Sequence, residues 1–173
     1  LSASQLNAFN AESLLIGGLR KFDTNGATVT VRTSNIMVDN AGAPLTGSDI
    51  ILAATGSIEL TDGASIRGTR SAATLDSIFI GDDAIPGSGD GVLIRASGNT
   101  SAPVFRDGVS GSTIPSMTIG ANASLSGGSL TLDSTYATDL DPTARLTAKT
   151  VNLNSGQISL QLDNPGALNP TDG

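Results

Sequence analysis

The chain has 173 residues, with 16 acidic against 9 basic side chains and a net charge of −7. It contains neither cysteine nor histidine, which excludes disulfides, thiolate metal sites, the serine–histidine triad and the common zinc ligands. Its few basic residues are scattered, with only Arg20 and Lys21 adjacent, and build no face that would neutralise phosphates, which excludes nucleic acid and a polybasic membrane contact.

The first element in chain order is the least strand-like. In residues 1–18, Ser2 followed by Gln5 matches a capping box for a short helix over Leu6 and Phe9, with a plain loop as the alternative. Leu14, Leu15 and Ile16 then read as a buried strand stopped by Gly17 and Gly18. Residues 28–32 alternate apolar and polar, and Ile36, Met37 and Val38 follow a turn at Ser34 and Asn35. Residues 40–44 are a loop.

Residues 50–68 are the most regular stretch. Ile50, Ile51 and Leu52 form one apolar run, Ile58 and Leu60 alternate with polar neighbours, and Ile66 follows Gly63-Ala64-Ser65. No run is long enough for a helix, and Gly56 and Gly63 break a helical reading. The chain therefore turns every seven or eight residues.

Residues 69–77 are polar and read as a turn. Strands are expected at Ile78-Phe79-Ile80, at residues 92–95 and at Val104-Phe105, with turn chemistry at residues 85–91. The whole of 69–115 thus reads as an irregular excursion. Regularity returns at Met117. Leu125, Gly128, Leu130 and Leu132 share a frame with Leu153, Gly156, Ile158 and Leu160, at an offset of 28 residues. Gly56, Ile58 and Leu60 repeat its second half, and Gly63-Ala64-Ser65-Ile66 is echoed by Asn122-Ala123-Ser124-Leu125. Residues 136–144, with Asp139, Asp141 and Pro142, read as a loop that interrupts the run.

Internal similarity, scarce aromatics (3%) and Asn, Gly and Ser at the corners favour a β-solenoid over a sandwich or barrel. At about 20 residues per three-stranded turn, the chain would make roughly seven or eight turns. A strand edge would lie open at each end, so a single domain spanning 1–173 reads as a segment of a larger protein. The missing initiator Met and the loop-like tail from Pro170 point the same way.

On residues 50–68 and their echoes at 122–132 and 151–160, the chain resembles the filamentous haemagglutinin-like exoproteins of two-partner secretion. Residues 12–18 and 87–94 also look like downstream segments of such proteins. The resemblance implies a right-handed parallel β-helix, secreted through an outer-membrane two-partner transporter to the surface of a Gram-negative bacterium and used in adhesion to a host-cell glycan or protein receptor. Catalytic residues, cofactors and metals are not expected, nor is membrane insertion. The alternatives are a carbohydrate-active β-helix enzyme and a phage tail-fibre segment.

Several residues are weighed as sites. Asp82, Asp83 and Asp90 surround a Gly-rich loop whose carboxylates and carbonyls suit Ca²⁺, but the spacing fits no calcium motif and a solvated turn is the plainer reading. Asp139 and Asp141 pair two residues apart, as acid/base carboxylates can, in what is also a turn signature. Arg67, Arg70, Arg95 and Arg106 near Asp82 and Asp83 would suit a polysaccharide-cleaving site, against the simpler reading of outward charges. If one region binds, it is the excursion, because loops on a rigid scaffold carry recognition.

Overall fold

The computed structural model describes residues 1–69 and 76–160, the last two by backbone alone. The polar turn expected at 69–77 falls mostly outside these residues, as do Gln161, Leu162 and the tail from Pro170.

Helix α1 (Ala3–Asn7) forms through the expected capping box: Ser2 Oγ accepts from the Gln5 N–H, and the Gln5 side chain accepts from the Ser2 N–H. It ends before Phe9, which is exposed. Strand β1 (Leu14–Ile16) follows, half-buried because it lies at a sheet edge. Next come β2 (Gly18–Asp23), β3 (Gly26–Val31), β4 (Asn35–Val38) and β5 (Leu45–Gly47). The stretch at 50–68 supplies β6 (Asp49–Ala54), β7 (Ser57–Leu60) and β8 (Ser65–Gly68). The presumed excursion holds β9 (Ile78–Ile80), β10 (Val92–Ser97) and β11 (Val104–Arg106). After it come β12 (Ser116–Ile119), β13 (Ser124–Ser126), β14 (Ser129–Leu140), β15 (Arg145–Thr147) and β16 (Thr150–Leu160).

Among the described residues these strands build three sheets. The first runs β1-β6-β10-β14-β12-β7-β4, with β16 also on β14; the second is β11-β9-β3-β2; the third is β15-β13-β8-β5. The expected right-handed parallel β-helix, or β-solenoid, does not form. Strand β10 is antiparallel to both of its neighbours, with Ile94 opposite Leu52 of β6 and Leu132 of β14. Strands β2 and β3 make an antiparallel hairpin. The sheets are therefore mixed, and the whole is a curled half-barrel.

The reversal has a physical cause. The chain leaves β8, passes through β9 in the second sheet, and enters β10 from the opposite end to that at which it entered β6. Gly91 makes that approach with φ +144°, and a Cβ there would stand 2.4 Å from the Ala54 carbonyl oxygen. So 69–115 is not simply an excursion, because it contains β10, an interior strand of the largest sheet.

Strands β6 and β10 are buried along their whole length. One face, with Ile50, Leu52, Ile94 and Ala96, looks into the main core. The other face, with Ile51, Ala53 and Leu93, packs on Val29, Ile78 and Ile80 of the second sheet. Burial on both faces explains why these strands read as continuous apolar runs rather than as alternating ones.

Where successive tiers stack in parallel the offset is 20 to 22 residues, not 28: Asn35 pairs with Ser57, Leu45 with Ile66, Leu125 with Leu146, Leu132 with Leu153 and Ala137 with Gln157. The 28-residue frame joined two different positions around the tier, because apolar alternation looks alike on each. Within the true register, the Gly63 and Asn122 steps do correspond. Ser65 pairs with Ser124 and Ile66 with Leu125, and Gly63 and Asn122 both turn through the left-handed region at φ +72° and +56°. The supposed loop at 136–144 is strand as far as Leu140. A bulge between Ser134 and Ala137 bends β14, so that its second half pairs with β12 and β16.

Candidate functional site

The seam between the first and second sheets holds two buried ion pairs. Arg95 donates from Nε to Asp49 Oδ1 at 2.8 Å and from Nη2 to Oδ2 at 3.1 Å, and each side chain is only 2% exposed. Its remaining nitrogen donates to the carbonyls of Asp76 (2.9 Å) and Ala102 (3.3 Å), so one guanidinium ties two connecting segments to the central sheet. Asp49 also accepts from Ser97 Oγ at 2.5 Å and from Ser13 Oγ at 2.7 Å. Burial pushes the Asp49 carboxyl up, but hydrogen bonds and charge from Arg95, with the two serines, bring it below its ordinary value of 3.8.

Beside this pair lies a cavity of about 170 Å³ lined by Glu12, Ser13, Arg20, Asp76 and Arg95 among others. Arg20 donates from Nη1 to Ser13 Oγ at 2.8 Å, and its buried Nη2 has no protein partner. Burial lowers its pKa from the ordinary arginine value, with Asp49 opposing and Arg95 adding to the shift. The second pair joins Arg106 of β11 to Asp133 of β14. Asp133 accepts from Arg106 Nε and, at 2.7 Å, from Asn154 Nδ2. Arg106 Nη1 reaches the Gly89 carbonyl at 2.7 Å, anchoring the loop above.

That loop, residues 81–91, is cross-braced to residues 107–111. The Asp82 carboxylate accepts from the Ala84 N–H (2.9 Å), and Ser88 Oγ bridges the Asp82 N–H and carbonyl. Asp83 accepts from the Gly108 N–H at 2.9 Å, and Asp90 takes both the Ser110 N–H (2.9 Å) and the Ser110 hydroxyl. Gly87 and Gly89 donate to the Gly108 carbonyl. The three aspartates thus serve separate backbone groups and do not converge. Among the described residues, no group of three or more carboxylates is placed to hold a metal ion.

The loops leave Ile85 and Val109 exposed at 57% and 47%, and on strands β9 and β11 Phe79 stacks on Phe105 with ring centroids 5.1 Å apart. An open groove of about 420 Å³ runs beside Phe79, lined also by Asp23, Asn25, Thr28, Asp82 and Asp107 among others.

The structure does not assemble the arginines expected near Asp82 and Asp83. Arg95 and Arg106 are committed to Asp49 and Asp133, Arg67 is exposed on β8, and Arg70 lies outside the described residues. Asp139 is exposed at the end of β14, whereas Asp141 caps a turn by accepting from the Thr143 N–H (2.8 Å) and hydroxyl (2.5 Å). Those two bonds, the hydroxyl's first, lower its pKa. Sequence reading missed Asp49, Asp133 and Arg20. A charged residue inside an otherwise apolar strand was the available signal, as at Asp49 before two isoleucines. No family model, curated protein or solved structure significantly matches the chain.

Proposed function

We propose that this chain is a non-catalytic, presentational part of a secreted bacterial surface adhesin. It contacts a host-cell or neighbouring-cell glycan or protein through the braced loops 81–91 and 107–111, and its parent protein passes an outer-membrane two-partner transporter. The carrying observation is the pairing of rigid loops with exposed apolar tips. The loops' aspartates and glycines are largely tied to one another, which lowers the entropy lost on binding, while Ile85, Val109 and Phe105 remain exposed. The groove beside Phe79 adds carboxylate, amide and hydroxyl groups that suit sugar hydroxyls or a basic side chain.

Removing residues 82–91 altogether is not the clean test, because Gly89 anchors Arg106 and Asp83 anchors Gly108. The test is binding of the purified chain to epithelial cells and to a glycan array, compared with Ile85→Ser and Val109→Ser variants of unchanged melting temperature. Saturable binding that both variants weaken supports the reading. Absence of binding by the folded chain overturns it.

A further inference from the structure

The cavity of about 170 Å³ beside the Asp49–Arg95 pair shares no lining residue with the braced loops or their groove, so its role is independent of the reading above. Arg20, on its wall, uses Nη1 on Ser13 Oγ at 2.8 Å, while among the described residues Nε and Nη2 have no acceptor. Nε and Nη2 form the edge with which Arg95 clasps both Asp49 oxygens, so Arg20 is a second carboxylate fork without its carboxylate. Asp49 cannot serve both. Its Oδ1 accepts from Arg95 and Ser97, and its Oδ2 from Arg95 and Ser13. Two guanidinium groups therefore share one buried carboxylate, and one positive charge is left in the inner wall. Glu12 and Asp76 also line the cavity, but both are exposed and neither carboxylate has a partner among the described residues. They set negative charge at the mouth.

We propose that this cavity binds a small zwitterion, a free α-amino acid of the size of alanine or serine. Its carboxylate lies across Nε and Nη2 of Arg20, its ammonium faces the carboxylates of Glu12 and Asp76, and its short side chain rests on the aliphatic wall of Ile51 and Ile78. The order of charges, positive inside and negative at the mouth, selects this class. A dianion such as phosphate is repelled by Glu12 and Asp76, and a plain amine by Arg20. Size agrees, since a cavity of about 150 Å³ holds benzene, a molecule of about six non-hydrogen atoms. The Phe22 ring, 5.6 Å from Arg20 Cζ, also lines the cavity and holds the guanidinium in place.

The test is titration of the folded full chain with L-alanine, followed by amide chemical shifts. Saturation with a Kd of about 1 mM or tighter is expected, with shifts centred on Ser13, Arg20 and Arg95. Alaninamide, which lacks the carboxylate, and N-acetylalanine, which lacks the ammonium, bind about tenfold more weakly or worse. Arg20→Lys keeps the charge but loses the paired donors, and weakens alanine binding about tenfold. Glu12→Gln, at an exposed side chain, weakens it at an unchanged melting temperature, and decides the matter together with the two analogues where Arg20→Lys does not fold. Absence of saturable binding by the wild type overturns the proposal. So does N-acetylalanine that binds as well as alanine, which would make this a site for any carboxylate, and so does a folded Arg20→Lys variant with wild-type affinity.

Discussion

Arg95 grips both carboxylate oxygens of Asp49 from the neighbouring antiparallel strand, so a saturated ion pair stands where apolar packing would otherwise close the seam between the two cores. Breaking one side of such a pair strands a buried charge. Asp49→Ala is therefore expected to cost about 3–5 kcal/mol, read by urea denaturation. The Asp49→Leu/Arg95→Met double variant costs clearly less than the sum of the two singles. It still loses about 1–3 kcal/mol, because the Asp76 and Ala102 carbonyls lose their donor. Additive costs would show that the two side chains act independently.

The same pair sets a pH dependence. Asp49 titrates lower in the folded chain than in the unfolded chain, so its contribution is fully present above the ordinary carboxylate value of 3.8 and is lost as pH falls through the depressed folded value. The stability gap between the wild type and Asp49→Asn is expected to be constant from pH 7 to about pH 5 and to shrink below 3.8. Urea melts at successive pH values measure it. A gap that widens in acid would contradict the sign of the shift.

Thr138 lies between Met117 and Ile158 in a column of otherwise apolar side chains, and its buried hydroxyl has no hydrogen-bond partner. Thr138→Val keeps the shape and removes the unmet hydroxyl. It should be neutral or stabilising by about 1 kcal/mol in thermal or urea melts.

Gly81 starts the braced loop at φ +90°, and a Cβ there would sit 2.0 Å from the Asp107 carbonyl oxygen. Gly81→Ala forces the two loops apart and costs about 1–3 kcal/mol in backbone strain. Faster amide exchange is expected at Gly87, Gly89 and Gly108, together with weaker cell binding, while amides in β6 and β10 keep their protection.

Each of Asp82, Asp83 and Asp90 already serves a backbone N–H of the loops. Chelator should therefore leave the melting temperature and ligand binding unchanged. A calcium-dependent rise in either would show that these carboxylates turn toward a shared ion.

Local chemistry was legible in the sequence wherever it acts over a few residues. Ser2 and Gln5 specify their capping box, and Gly63 and Asn122 mark equivalent left-handed corners. The short apolar runs specify strands at 50–52, 58–60, 78–80 and 92–95. The hairpin of β2 and β3 was overlooked although Asn25-Gly26 is a strong turn signal and Asp23 accepts from both of their N–H groups. Strand direction was not legible. A run such as Val92-Leu93-Ile94 is equally apolar in a parallel and an antiparallel pair, and only the path through β9 and the tight approach at Gly91 brings β10 in reversed. The tier repeat was hidden for a related reason, since the alternation of Leu130 and Leu132 resembles that of Ile158 and Leu160 although they stand on different sides. The ion pairs were hidden because Asp49 and Arg95 are 46 residues apart, and Arg106 and Asp133 are 27 apart. Residue type, hydropathy alternation and turn preference thus determined an all-β chain with its corners in place. Direction, register and charge pairing were decided by tertiary structure, because each depends on which distant strand supplies the neighbouring hydrogen bonds and counter-charges.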